Sequence, residues 1–271
     1  MWGIVPAAGR GSRIQPLAFS KELLPVGSRI DCGVERPCAV SEYLLERMIL
    51  GGADKICFII SPGKSDILEY FGDSYAGASI AYVVQPSASG LCDAIFRAGC
   101  VVAPNEPIAI GLPDTIWFPK AALGELPDDA FSFLLFPVER PEFFDAVTLG
   151  SDNQVREIQV KQQNASSHWI WGAFKMPGAI FFALRQLWLA RGSADEYIGT
   201  LVNAYLAGGG EAIGIKAGRA YVDIGTLNGY RTAIGLLADM TQTSKADCLS
   251  TIGWPAGHLP RLVVSPGGVR P

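Results

Sequence analysis

The chain has 271 residues, with 22 Lys and Arg against 26 Asp and Glu and a formal net charge of −4. That balance excludes the basic face expected of a nucleic-acid binder, and 49% hydrophobic against 18% charged residues lies far from the composition of disordered chains. The apolar runs Ile56–Ile60, Ile80–Val84 and Phe131–Val138 fall well short of the roughly 18 residues that cross a bilayer, and no basic-then-apolar leader precedes Gly3, so a cytoplasmic protein without membrane association is expected.

In chain order, the pattern predicts strands over Gly3–Ala7, Lys55–Ile60, Ser79–Val84, Pro107–Gly111 and Phe131–Pro137, separated by amphipathic stretches. These are Val40–Leu50, which ends at Gly51-Gly52, then Asp66–Phe71 and Gly90–Val101. Short apolar runs alternating with such helices signify βαβ units and a mostly parallel central sheet. After residue 140 the strands alternate in character over Ala146–Gly150, Val155–Val160 and Trp169–Lys175, which predicts a smaller β-rich part. Helices are predicted over Ala179–Arg191 and Asp195–Leu206, strands over Glu211–Lys216 and Ala220–Val222, and a last helix over Leu227–Asp239. The Pro- and Gly-rich stretch 244–271 shows no period and is expected to be an irregular tail. The fold expected is α/β, with a nucleotide-binding half over about 1–140 and an acceptor-binding half over about 141–243. Six cysteines without a C-x-x-C pair, and His168 and His258 outside any zinc or triad spacing, read as reduced structural thiols and packing or surface histidines.

The chemistry concentrates first in the segment Pro6-Ala7-Ala8-Gly9-Arg10-Gly11-Ser12-Arg13-Ile14-Gln15-Pro16, followed by Lys21-Glu22-Leu23-Leu24-Pro25. A Gly-rich turn after a buried strand exposes backbone N–H groups that can cradle phosphate oxygens, and Arg13 and Lys21 supply positive charge to neutralise them. Ile14 stands where a dinucleotide fingerprint needs its third glycine, and no G-K-[ST] is present, so neither a dehydrogenase nor a P-loop enzyme fits.

The run from Gly9 to Pro25 resembles the signature of the sugar nucleotidyltransferases, G-x-G-[ST]-R-x-x-P followed by a Lys ahead of L-L-P, in the style of the glucose-1-phosphate thymidylyltransferases and uridylyltransferases. The resemblance implies a Rossmann-like fold of the GT-A type. It also implies that Ala8, Gly9, Gly11 and Ser12 meet the nucleotide together with Gln85 and Gly90 of Val84-Gln85-Pro86-Ser87-Ala88-Ser89-Gly90. Asp114 beyond one strand and Asp223 at the end of another fall where the family holds Mg²⁺, an ion that takes one or two carboxylates plus phosphate and water. Lys161 matches the lysine that meets the sugar phosphate. Asp145 stands where the family tends to have Gly, and Val160 where it has a sugar-binding Glu; Trp171 and Gly172 lie on the strand expected to face the acceptor. Trp171 either stacks on a less polar substrate or packs in the core.

The activity implied by the resemblance is an Mg²⁺-dependent joining of a nucleoside triphosphate, dTTP or UTP favoured, to a sugar 1-phosphate such as glucose 1-phosphate or a modified sugar, with release of pyrophosphate. Members of the family commonly form homo-oligomers; a homo-oligomer is compatible with this sequence, which leaves the oligomeric state open. The alternative is a non-catalytic nucleotide-sugar-binding regulator of the same fold. A glycosyltransferase would need a D-x-D motif, and none is present.

Overall fold

A computed structural model describes residues 1–238. The predicted tail over 244–271 and Asp239, the end of the last predicted helix, lie outside the described residues. The first strand, β1 (Trp2–Pro6), runs into the Gly-rich loop, and a hairpin of β2 (Pro25–Asp31) and β3 (Val34–Ala39) leads into helix α1 (Val40–Leu50). Strand β4 (Lys55–Ile60), helix α2 (Ser65–Phe71), strands β5 (Ser74–Tyr75) and β6 (Ala78–Val84), helix α3 (Gly90–Arg97), and strands β7 (Pro107–Gly111) and β8 (Thr115–Phe118) complete the first half. The second half contains β9 (Ser132–Pro137), β10 (Asp145–Leu149), β11 (Val155–Val160), β12 (Trp169–Pro177), α4 (Gly178–Ala190), α5 (Ile198–Ala207), β13 (Ile213–Ile215) and β14 (Ala220–Asp223), followed by a helical stretch over 227–238.

Ten strands form one mixed sheet, with the order β11-β10-β12-β7-β1-β4-β6-β5 along its main path; off that path β9 pairs with β12 and β13 pairs with β9. The centre is parallel, since β1 pairs with both β4 and β7 and β4 pairs with β6, whereas β12 meets β7 and β9 antiparallel and β10 meets β11 and β12 antiparallel. This is the expected α/β architecture, and its covered faces explain the continuous apolar runs. Successive residues of β1 and β4 serve opposite cores. Ile4, Cys57 and Ile59 pack with Phe96, Phe181 and Leu201 from α3, α4 and α5, while Val5, Ile56 and Phe58 pack with Leu44, Leu45 and Met48 of α1.

Several boundaries differ from expectation. The β2–β3 hairpin is absent from the predicted elements: most of its residues are exposed, so it lacks the apolar signal of a core strand. Its two-residue turn, Cys32-Gly33, takes φ of +49° and +80°, the primed geometry that suits hairpin twist. Helix α5 begins at Ile198 and not Asp195, because Arg191 grips both Asp195 carboxylate oxygens (2.8 and 3.0 Å) and the Asp195 carbonyl accepts from Trp188 Nε1. The helix predicted over Gly90–Val101 tightens after Arg97 into a 3₁₀ turn over Ala98–Cys100, and β13 is shorter than predicted. The five described cysteines are unbridged; burial pushes the Cys57 and Cys92 thiols up to about 12, so they are inert packing groups. No described helix is long and apolar enough to cross a membrane.

Candidate active site

The carboxyl ends of β1 and β7 open onto a cavity of about 610 Å³, the place where open α/β sheets receive ligands. From the Gly-rich loop, Arg10, Ser12 and Arg13 reach it. Gly11 has φ +64°, and a Cβ there would lie 2.9 Å from Lys21 Cδ, so only glycine lets the lysine stem pack beneath the turn. Lys21 then projects to Asp114, with Nζ paired to Oδ2.

Asp114 and Asp223 meet through a strand pairing that carries no local sequence signal. Strand β14 lies antiparallel to β8 with Asp223 opposite Thr115, and the Ile224 N–H donates to the Asp114 carbonyl at 2.8 Å. Arg13 Nη2 lies 3.4 Å from Asp223 Oδ2, and the Gly225 N–H donates to Asp223 Oδ1 at 2.7 Å. Burial acts to raise the Asp114 pKa, but the charge and hydrogen bond of Lys21 outweigh it and hold the carboxyl below its ordinary range. For Asp223, burial and the negative charge of Asp114 push the carboxyl up. Lys21 stays firmly protonated, since burial works against its charge but Asp114, Glu22 and Asp223 together overcome it.

These two carboxylates fit a hard divalent cation such as Mg²⁺. A Cβ on Gly225 would stand 2.7 Å from Arg13 Nη2, 2.8 Å from Asp223 Oδ1 and 3.2 Å from Asp114 Oδ2, so glycine keeps open the space on which the three side chains converge. Among the described residues no group of three or more His, Cys, Asp or Glu is placed to hold a metal, so an ion held here would take two carboxylates from the chain and the rest of its donors from ligand oxygens and water, a set that suits Mg²⁺.

Lys64 and Glu22 lie underneath. Glu22 is fully buried and receives Lys64 Nζ on both oxygens at 2.8 and 2.7 Å, while the same ammonium donates to the Ala7 carbonyl at 2.6 Å. Asp66, in the first turn of α2, accepts from the Ser20 N–H at 2.6 Å and from Ser20 Oγ at 2.7 Å. The residues on either side of Lys21 are thus tied to the start of α2.

The opposite wall comes from β10, the end of β11, β12 and the α4–α5 connection. Asp145, Lys161 and Trp171 line it together with Phe144, Glu196 and Tyr197. Lys161 adopts φ +45°, donates its N–H to the Phe144 carbonyl at 3.1 Å, and sets Nζ 4.5 Å above the Tyr197 ring. The cavity therefore brings together Ser12, Arg13, Gly90, Asp114, Asp145, Lys161, Trp171 and Asp223, with Lys21 paired at its floor. Other expected residues do not line the cavity. Ala8 is buried; neither it nor Gly9 lines the cavity. Gln85 is buried and donates to Asp93 Oδ2 at 2.7 Å and to the Gly90 carbonyl at 3.2 Å. Val160 packs against Gly199 of α5, and Gly172 is closed in by Phe136 and Tyr221 at the irregularity between Trp171 and Ala173. Arg10, Glu196, Tyr197 and Tyr221 join the cavity without having stood out in the sequence. Arg10 and Tyr221 adjoin motifs and are findable on that ground, whereas Glu196 arrives through the Leu91 N–H bonded to its carbonyl at 2.8 Å, a contact without local signal.

Comparison with known proteins identifies the family. A model of the nucleotidyl transferase family matches residues 2–239. The glucose-1-phosphate thymidylyltransferase of Neisseria meningitidis is 29% identical over 273 residues, covering 96% of this chain and 91% of that protein. The enzyme of the same name from Mycolicibacterium smegmatis is 26% identical, covering 96% and 90%. Among solved structures, a UTP-bound UGPase from Acinetobacter baumannii superposes with a TM-score of 0.70 at 19% identity, over 89% of this chain and 97% of that one, a likeness of fold. The chain belongs to the nucleotidyl transferase family, as a homologue of its sugar-1-phosphate thymidylyl- and uridylyltransferases.

Proposed function

We propose that this protein joins a nucleoside triphosphate, dTTP or UTP, to a sugar 1-phosphate, glucose 1-phosphate or a modified sugar, and releases pyrophosphate. The observation that carries the reading is the convergence, in one cavity, of Arg13, Lys21, Asp114 and Asp223 on one side with Lys161 and Asp145 on the other. The acceptor phosphate is already an anion, so the reaction needs alignment and charge neutralisation and no general base. The N–H groups of the loop around Gly11 and Ser12 and the Arg13 guanidinium hold the β- and γ-phosphates. Lys21 leaves Asp114 for the phosphate oxygens and neutralises the departing pyrophosphate. Lys161 presents the acceptor phosphate for in-line attack at the α-phosphorus, and Trp171 and Asp145 face the rest of the acceptor. Asp114 and Asp223 would hold Mg²⁺, which when bound supplies further neutralisation of phosphate charge. Gln85, through Gly90, stiffens the edge expected to meet the nucleobase.

A non-catalytic binder of finished nucleotide sugars has no need of cations placed for pyrophosphate, so the paired Lys21 and Arg13 favour the transferase. The test is pyrophosphate release with Mg²⁺ across a grid of nucleoside triphosphates and sugar 1-phosphates. Release with one pair supports the transferase; silence across the grid, alongside tight binding of a finished nucleotide sugar, supports the binder.

A further inference from the structure

The acidic groups of the cavity fall into two sets. On the loop side each carboxylate has a cation within 4 Å, Lys21 for Asp114 and Arg13 for Asp223. On the acceptor side neither Asp145 nor Glu196 makes an ion pair within that distance among the described residues, although both line the cavity.

Asp145 is the more constrained of the two. It opens β10, one of its oxygens is buried without a hydrogen-bond donor, and burial pushes its carboxyl up. Lys161 opposes that rise through its charge and through its backbone N–H, while its ammonium rests over the Tyr197 ring and makes no ion pair with Asp145 within 4 Å. Trp171, 6% exposed, lies close enough for its indole N–H to draw the Asp145 pKa down, yet that N–H, like the buried Asp145 Oδ1, has no partner of full hydrogen-bonding geometry. A carboxylate withdrawn from water is costly unless a positive charge meets it. A neutral hydroxyl can hydrogen-bond to it and leaves the charge uncompensated. The surrounding rings, Phe144, Trp171 and Tyr197, are surfaces that attract cations, and Tyr197 already carries one.

We infer that the acceptor is a sugar 1-phosphate bearing a protonated amine, with Asp145 as the counter-ion of that amine and Trp171 as the group that orients Asp145. The inference rests on the transferase reading and sharpens its substrate class. Lys161 takes the phosphate, Asp145 takes the ammonium, and a ligand of both charges spans the wall between them.

The test uses the full-length protein with Mg²⁺ and the triphosphate that supports release, and compares glucosamine 1-phosphate and ring-position isomers of amino sugar 1-phosphates with glucose 1-phosphate and with the N-acetylated counterpart of each amine. The expected result is a kcat/KM for one amine at least about tenfold above both its N-acetyl form and glucose 1-phosphate, the scale of one charge-assisted hydrogen bond. In Asp145→Asn that ratio collapses toward one. Should the variant fail to fold, the comparison of amine with N-acetyl form in the native protein decides alone. Turnover of neutral sugars at or above every amine overturns the inference and leaves the transferase standing. A ratio unchanged by Asp145→Asn overturns the assignment to Asp145. Release with no acceptor at all overturns both readings.

Discussion

Replacing Lys64 by Met isolates a charge held beneath the Gly-rich loop. Glu22 is fully buried, and among the described residues its carboxylate receives side-chain donors only from Lys64, at 2.8 and 2.7 Å; the same ammonium satisfies the Ala7 carbonyl at 2.6 Å. Burial already pushes the Glu22 carboxyl up and the Lys64 ammonium down, so even the intact pair is a compromise. Removing one partner of a buried pair costs about 3–5 kcal/mol, which for a domain of this size lowers the thermal midpoint by roughly 6–20 °C. The pH dependence has a definite sign. Lys64 opposes the rise in the Glu22 pKa, so without it that pKa climbs further above the ordinary 4.5. A group whose folded pKa is raised contributes stability that is complete below its unfolded pKa and is lost as pH rises through the folded one. The deficit of Lys64→Met relative to the native protein is therefore largest near neutral pH, where Glu22 and Lys64 are both charged in the native protein, and shrinks as pH falls toward 4.5. Denaturant unfolding tracked by circular dichroism, repeated across that range, measures it directly. Adding Glu22→Gln to the variant removes the stranded charge and recovers most of the loss. A deficit below about 1 kcal/mol at neutral pH, or one that is flat with pH, refutes the claim that Glu22 depends on Lys64.

Asp66→Ala strips the acceptor from the Ser20 N–H and hydroxyl and costs about 1–3 kcal/mol. It also lowers kcat more than it changes KM, because Lys21 loses a flanking anchor, and Asp66→Asn, which keeps an acceptor oxygen, restores much of both. Asp114→Ala is expected to cut pyrophosphate release by about 10²–10³-fold with the far-ultraviolet circular dichroism unchanged; near-native turnover would remove Asp114 from the site. Gly225→Ala pushes a methyl group into the space shared by Arg13, Asp114 and Asp223, and should raise the Mg²⁺ concentration for half-maximal release by about tenfold while the thermal midpoint stays put.

The parts of this molecule that can be read in advance are those whose signal is local. Lys55–Ile60 reads as a central strand because it is buried on both faces, and α1 reads as a helix because its apolar stripe meets the sheet. The β2–β3 hairpin escapes because its strands are mostly exposed, and β8 because four residues directly after a turn carry no period. For the site, β8 is the more consequential of the two. Asp114 and Asp223 can each be picked out by resemblance, but the reason they meet is the β8–β14 pairing, a register between distant segments that no local pattern encodes.

Charge is the least legible property, because its meaning depends on burial. Lys64 and Glu22 stand in the sequence like any surface pair, and Asp66 like an ordinary first-turn acid, yet the fold buries the first two and uses all three to hold the segment around Lys21. A loop that must present a cation to phosphate cannot be fixed by apolar packing alone, because its backbone N–H groups have to stay free for the ligand. Its fixed points must therefore be polar and lie underneath. Motif matching finds the residues proposed to touch phosphate, here Arg13 and Lys21, and passes over those that keep them in place, because the anchors recur in space and not in spacing. Asp145 shows the converse: the resemblance marks it as an acid where the family tends to have Gly, but only the structure shows that it lines the cavity with one oxygen buried and without a hydrogen-bond donor.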